Sequence, residues 1–143
     1  MEKNSYNSFK PDVSLGIIEK IRLGEKLSPT LFSDVAEQAA RACLDGKKNK
    51  SSQVRRFYDE LVMWDEKINT ATPEVKNKLF DDSVPYIWMI SAKLAYAVGR
   101  QLITPEFQKI FDHLIKQIRD PLTLKQAKTF FEAYLGFAKA LEN

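Results

Sequence analysis

A chain of 143 residues, 44% hydrophobic and 29% charged, has the size and composition of one soluble globular domain, which excludes wholesale disorder. Cys43 and His113 are its only cysteine and histidine, so an internal disulfide is impossible and little remains for metal or triad chemistry. The formal net charge of +3 conceals a dipole: Arg41 to Arg56 holds six Lys/Arg against Asp45 alone, a local +5, whereas Phe57 to Asp82 holds three Lys against seven acids, a local −4.

In chain order, Met1 to Lys10 is too polar for a secretory signal and lacks the arginines of a transit peptide. Residues 1–11 read as a flexible N-terminal segment and 12–143 as one helical bundle domain. No apolar run approaches the roughly 20 residues of a membrane span, so the expected location is cytoplasmic, with no membrane partner.

Prolines then punctuate the chain. Ser28-Pro29, Thr72-Pro73, Thr104-Pro105 and Asp120-Pro121 each place a capping residue before a proline, the arrangement favoured at a helix start because the missing N–H is unneeded there. Ser51 or Ser52 announces a further start, and Gly46 is placed to end the helix before it. Apolar residues recur at helical spacing in Leu31, Phe32, Val35, Ala39 and Cys43, in Val54, Phe57, Tyr58, Leu61 and Ile68, and in Phe107, Ile110, Phe111, Leu114 and Ile118. Helices are expected over 12–23, 29–45, 52–69, 73–80, 83–102, 105–118 and 121–142. The fold class is all-α, a compact single-domain bundle of about five to seven helices.

Three segments carry functional expectations. Lys47, Lys48, Lys50, Arg55 and Arg56 surround the N-terminus of the 52–69 helix, where free N–H groups and the helix dipole attract anions, so a phosphate fits there. Along 84–100, a wheel at 100° per residue puts Val84, Ile87, Trp88, Ser91, Leu94, Ala95 and Val98 on one apolar face and Tyr86, Met89, Lys93, Tyr96 and Arg100 on the other. That helix is expected to be central, its second stripe either taking phosphates through Lys93 and Arg100 or packing on a neighbour. The C-terminal helix spreads Phe130, Phe131, Tyr134, Leu135, Phe137 and Leu141 too widely for one narrow seam, which suits burial on most sides or an exposed stacking surface.

Elsewhere the plain readings prevail. Cys43 reads as a small buried hydrophobe and His113 as a structural side chain. The acidic pairs Asp59-Glu60, Asp65-Glu66 and Asp81-Asp82 read as helix surface, since no motif brings them to one cleft as metal ligands or acid–base groups.

The tract Ser51-Ser52-Gln53-Val54-Arg55-Arg56-Phe57-Tyr58-Asp59-Glu60-Leu61 resembles the small helical subunit of type III-A CRISPR–Cas effector complexes, the Csm type. Ile90–Arg100 and Phe130–Lys139 carry the same resemblance, which extends from about residue 30 to the end. It implies a non-enzymatic building block in antiviral defence, without cofactor or metal, that stacks on other copies of itself and on the backbone and large subunits. It further implies sequence-independent backbone contacts to CRISPR RNA and target RNA through Arg55 and Arg56, then Lys93 and Arg100, with Lys47, Lys48 and Lys50 in a loop that varies among relatives. The first 25 or so residues lie outside the resemblance. The competing expectation is a helical adaptor that binds only protein, whose basic loop is solvated surface; a steep salt dependence of RNA binding separates the two.

Overall fold

The computed structural model describes residues 13–142; the expected flexible segment 1–11 lies outside them. Among the described residues every regular element is helical: α1 (Val13–Lys20), α2 (Ala36–Ala42) entered through a π-helical turn (Leu31–Val35), α3 (Ser51–Asn69), α4 (Pro73–Trp88), α5 (Ile90–Gly99), α6 (Pro105–Lys116) and α7 (Pro121–Glu142). This is the all-α bundle expected.

Three of the four proline starts hold at the residue. Thr72 and Thr104 are extended, with Pro73 and Pro105 opening their helices, and the Thr104 hydroxyl accepts from Phe107 N–H at 3.2 Å. Asp120 Oδ1 accepts from Thr123 N–H at 2.8 Å and so caps α7. Ser28-Pro29 instead forms a turn, and the chain enters α2 two residues later through a Val35 N–H to Thr30 carbonyl bond of 3.1 Å.

The central element is α7 and not the 84–100 segment. Its apolar residues are spread around the helix because α2 and α3 both pack along it. Phe130, Phe131 and Tyr134 are buried there with Phe107 and Phe111 of α6. The Phe107 and Phe111 rings stack at 4.2 Å, and Tyr134 meets Phe111 edge-on at 4.8 Å, geometries worth about 0.5–1.5 kcal/mol each beyond the area they bury. Cys43 lies against this cluster, fully buried, and burial pushes its thiol up to about 12.

The 84–100 segment differs from expectation in two ways. The helix begun at Pro73 runs through Pro85 and breaks only at Met89, where Trp88 Nε1 donates to the Ile118 carbonyl at 2.8 Å and pins the joint to the end of α6. Its buried stripe is the narrow series Ser83, Ile87, Ile90, Leu94 and Ala97, which leaves Trp88 and Ala95 exposed and Val84 and Val98 on the flanks. One such stripe places α5 on the outside of the bundle. Tyr86, Met89, Lys93, Tyr96 and Arg100 therefore face solvent as a group.

After α1, residues 21–24 are clasped by polar side chains of α6, α7 and their connection. Gln117 donates to the Ile21 carbonyl and accepts from Leu23 N–H, while Gln126 exchanges both bonds with the backbone of Gly24 at 2.8 and 2.9 Å. Gly24 has φ of 150°, a conformation other residues rarely adopt. His113 joins the clasp through Nε2, 2.9 Å from the Ile21 carbonyl, so its role is structural.

Candidate nucleic-acid interface

The basic loop is built by three short-range devices. The Asp45 carboxylate accepts from Lys47 N–H at 2.9 Å and Lys48 N–H at 2.7 Å, bonds that hold its carboxyl below the usual range. Lys50 N–H is bound by Gln53 Oε1 at 3.0 Å, which makes Lys50 rather than a serine the residue before the helix. Asn49, buried and left-handed at φ 59°, ties the loop down: its Nδ2 donates to the Cys43 carbonyl and Thr104 Oγ1, both at 2.8 Å, and its Oδ1 accepts from Thr104 N–H at 2.9 Å. Asn49, not Gly46, supplies the left-handed residue of this connection, and α2 ends at Ala42. Asn49 N–H also donates to the Leu102 carbonyl at 3.0 Å, so Lys47, Lys48 and Lys50 are held beside the end of α5 that carries Arg100.

The N-terminus of α3 already holds an anion. Glu142 Oε2 accepts from Ser51 N–H at 2.8 Å and from Ser51 Oγ at 2.7 Å. Burial works against the Glu142 carboxylate, but the two Ser51 bonds and the nearby Lys139 and Lys50 hold its carboxyl below the ordinary glutamate range. The chain's own carboxylate thus occupies the place where a phosphate was expected, because the C-terminal turn of α7 lies against the first turn of α3.

Arg55 and Arg56 are both exposed and lie off the Val54, Phe57 and Leu61 face, as expected. Being adjacent on a helix, they diverge by about 100°. Arg56 lies over the Phe57 ring at 5.4 Å and lines a groove against α5, whereas Arg55 turns toward Tyr58, 5.9 Å from its ring, with Asp59 3.8 Å away. The groove, about 390 Å³, runs between α3 and α5 and is lined by Arg56, Phe57, Glu60, Met89, Ala92, Lys93 and Tyr96. Lys93 bridges it with a 2.8 Å ion pair to Glu60 Oε1. Arg100 donates to Tyr96 Oη at 2.9 Å and leans over that ring at 5.7 Å.

Of the seven candidate cations, then, Arg56, Lys93 and, through Tyr96, Arg100 meet at one groove, the three lysines sit in the tethered loop, where Lys48 and Lys50 lie beside Asp45 and Glu142 rather than in the groove, and Arg55 points away. Sequence reasoning missed Asn49, Glu60 as the partner of Lys93, and Glu142. Glu60 had a local signal, four residues after Arg56 on the same helix face. Asn49 had a weaker one, as the residue type most tolerant of left-handed backbone after glycine. Glu142 had none.

Four of the six acids in the acidic pairs, Asp59, Glu60, Asp65 and Asp82, take single partners along their own helices or across the groove. Asp59 faces Arg55, Asp82 accepts from Lys78 at 3.3 Å, and Asp65 accepts from Asn69 Nδ2 at 2.7 Å. Among the described residues no three His, Cys, Asp or Glu side chains come together as metal ligands, and no helix is long and apolar enough to cross a membrane.

No curated protein and no solved structure matches this chain significantly. A family does match: the Csm2 Type III-A family covers residues 26–143, leaving outside it residues 1–25, with α1 and the clasped residues 21–24. That span contains the loop, the groove and the whole α2–α7 bundle, and the chain belongs to the Csm2 family of small type III-A CRISPR effector subunits.

Proposed function

We propose that this chain is a non-enzymatic small subunit that stacks along a type III-A effector complex and holds the CRISPR RNA and its target RNA by their phosphate backbones. The observation that supports the reading is the meeting of Arg56 and Arg100 at one open groove, with Lys93 between them paired to Glu60 and the loop of Lys47, Lys48 and Lys50 tied through Asn49 to the backbone just after Arg100. Arg55, on the neighbouring face, serves a second contact along the same strand or a partner subunit.

Rigid cations on helices suit this task. Base pairing between guide and target reads sequence, so a subunit beside that duplex needs only to recognise backbone and shape. A few such contacts per copy give low affinity, and repeated copies along one RNA raise it through effective concentration. Partners are accordingly other copies of this chain and the backbone and large subunits of the complex, in a defence against foreign RNA. The purified chain is expected to lack RNA-cleaving and nucleotide-polymerising activity; metal-dependent cleavage abolished by Asp59→Ala or Asp81→Ala would overturn that.

The test is RNA binding by the full chain across a salt series. Each phosphate contact contributes roughly 0.7 to 0.9 to the negative slope of log affinity against log salt. Arg56→Ala and Arg100→Ala together are expected to weaken binding for all sequences alike and to flatten that slope. A folded double variant with unchanged affinity and slope would instead favour an adaptor that binds only protein.

A further inference from the structure

The centre of the α3–α5 groove is not suited to a phosphate. Glu60, its side chain only 18% exposed, stands 2.8 Å from Lys93 and both neutralises that ammonium and repels any anion brought to it. The remaining wall is apolar, with Phe57, Met89 and Ala92, and one side is the ring of Tyr96. Tyr96 is 64% exposed, Met89 48%, and neither is covered by another element. Arg100 fixes the phenol from one end through its hydrogen bond, which sets the ring's orientation at no further cost on binding. Unneutralised positive charge is found at the rim, on Arg56 and Arg100, and not in the middle.

From this we infer that the groove accepts an unstacked nucleobase of single-stranded RNA, with Tyr96 as its stacking platform, the Glu60 carboxylate as acceptor for a base N–H, and Arg56 and Arg100 on the flanking phosphates. The inference rests on the RNA-binding reading above and adds a ligand class to it. A groove of about 390 Å³ falls within the range of roughly 300–1,000 Å³ typical of small-ligand sites. All four bases present a π-face and at least one N–H on an edge, so such a site tolerates any sequence. A backbone-only surface needs neither an exposed ring fixed by an arginine nor a carboxylate in its middle.

The experiment compares two single-stranded RNAs of equal length and charge, one with bases throughout and a fluorescent adenine analogue near its centre, the other carrying abasic sites around that position. The full-length protein is titrated with each at low salt. Base–aromatic stacking makes the base-bearing RNA the tighter ligand by roughly tenfold, with a change in analogue fluorescence on binding. Tyr96→Ala is expected to abolish that preference while keeping salt-sensitive binding to the abasic RNA, and Tyr96→Phe, which retains the ring, to preserve it. Equal wild-type affinity for the two RNAs would overturn the base site and leave the backbone reading standing; this comparison needs no variant. Binding of neither RNA would overturn both. Tyr96→Ala that binds both RNAs as wild type does, yet fails to assemble with a second copy, would show that the groove seats protein, and would also overturn the base site.

Discussion

The tether at Asn49 can be broken in two ways that separate its contributions. Asn49→Gly accepts the left-handed backbone but deletes the side chain, which removes the bonds to the Cys43 carbonyl, Thr104 Oγ1 and Thr104 N–H. A buried group left without its partner costs about 1–3 kcal/mol, and the Cys43 carbonyl and Thr104 N–H both lose one, so a loss of about 3 kcal/mol is expected. Asn49→Ala adds roughly 1 kcal/mol more for a β-carbon at φ 59°. Against a total stability of about 5–15 kcal/mol both variants remain folded, with midpoints about 10 °C lower for Gly and a few degrees lower again for Ala. Urea unfolding followed by circular dichroism measures the free energies, and a thermal melt the midpoints. Because Lys47, Lys48 and Lys50 ride on this loop, Asn49→Gly is also expected to weaken RNA binding with no change in net charge. Both variants falling within about 0.5 kcal/mol of wild type would refute the tether, as would Gly proving less stable than Ala.

Three further outcomes follow from the geometry. Arg55→Ala with Arg56→Ala should leave helicity intact, since both side chains are exposed, and lower the RNA salt slope by up to about two units; a slope reduced by only about one, reproduced by Arg56→Ala alone, would place Arg55 off the RNA path. Glu142→Gln should destabilise the protein at neutral pH, because the folded state holds the carboxyl below its unfolded value; the gap from wild type should close as pH falls through the folded pKa, and a gap that persists in acid would rule out the charge as its cause. Cys43, buried and raised to about 12, should resist thiol reagents in the folded protein and react only on unfolding, so rapid labelling at neutral pH would contradict the packing around Tyr134.

The fold was legible where local chemistry decides it. Capping residues before Pro73, Pro105 and Pro121, and the 3.6-residue spacing of Phe107, Ile110, Phe111 and Leu114, need no knowledge of the remainder of the chain. Centrality was misread because a helical wheel weighs apolar content and cannot see how many neighbours a face will meet. Trp88 and Ala95 count toward a wide stripe on the wheel, yet α5 meets the bundle along one seam only, and the Trp88 indole reaches sideways to the Ile118 carbonyl. The break at Met89 escaped notice for a related reason: Pro85 marks a weakness in the helix, but the joint lies where Trp88 finds its acceptor.

The site divides along the same line. Which cations stand outside the core was readable from helical phase, and Lys93 and Arg100 share a face with Tyr96 by spacing alone. What each cation does depends on partners distant in sequence. Glu60, 33 residues from Lys93, turns the middle of the groove from a charged site into a nearly neutral one. Glu142, 91 residues from Ser51, fills the helix N-terminus where the basic loop had raised the expectation of a phosphate. Glu60 neutralises Lys93 and Glu142 draws on Lys50, so the positive charge beside the groove is that of Arg56 and Arg100. On the RNA-binding proposal, a strand crossing this surface would be held at its edges by Arg56 and Arg100, and the space between them would be left to what an RNA presents other than phosphate.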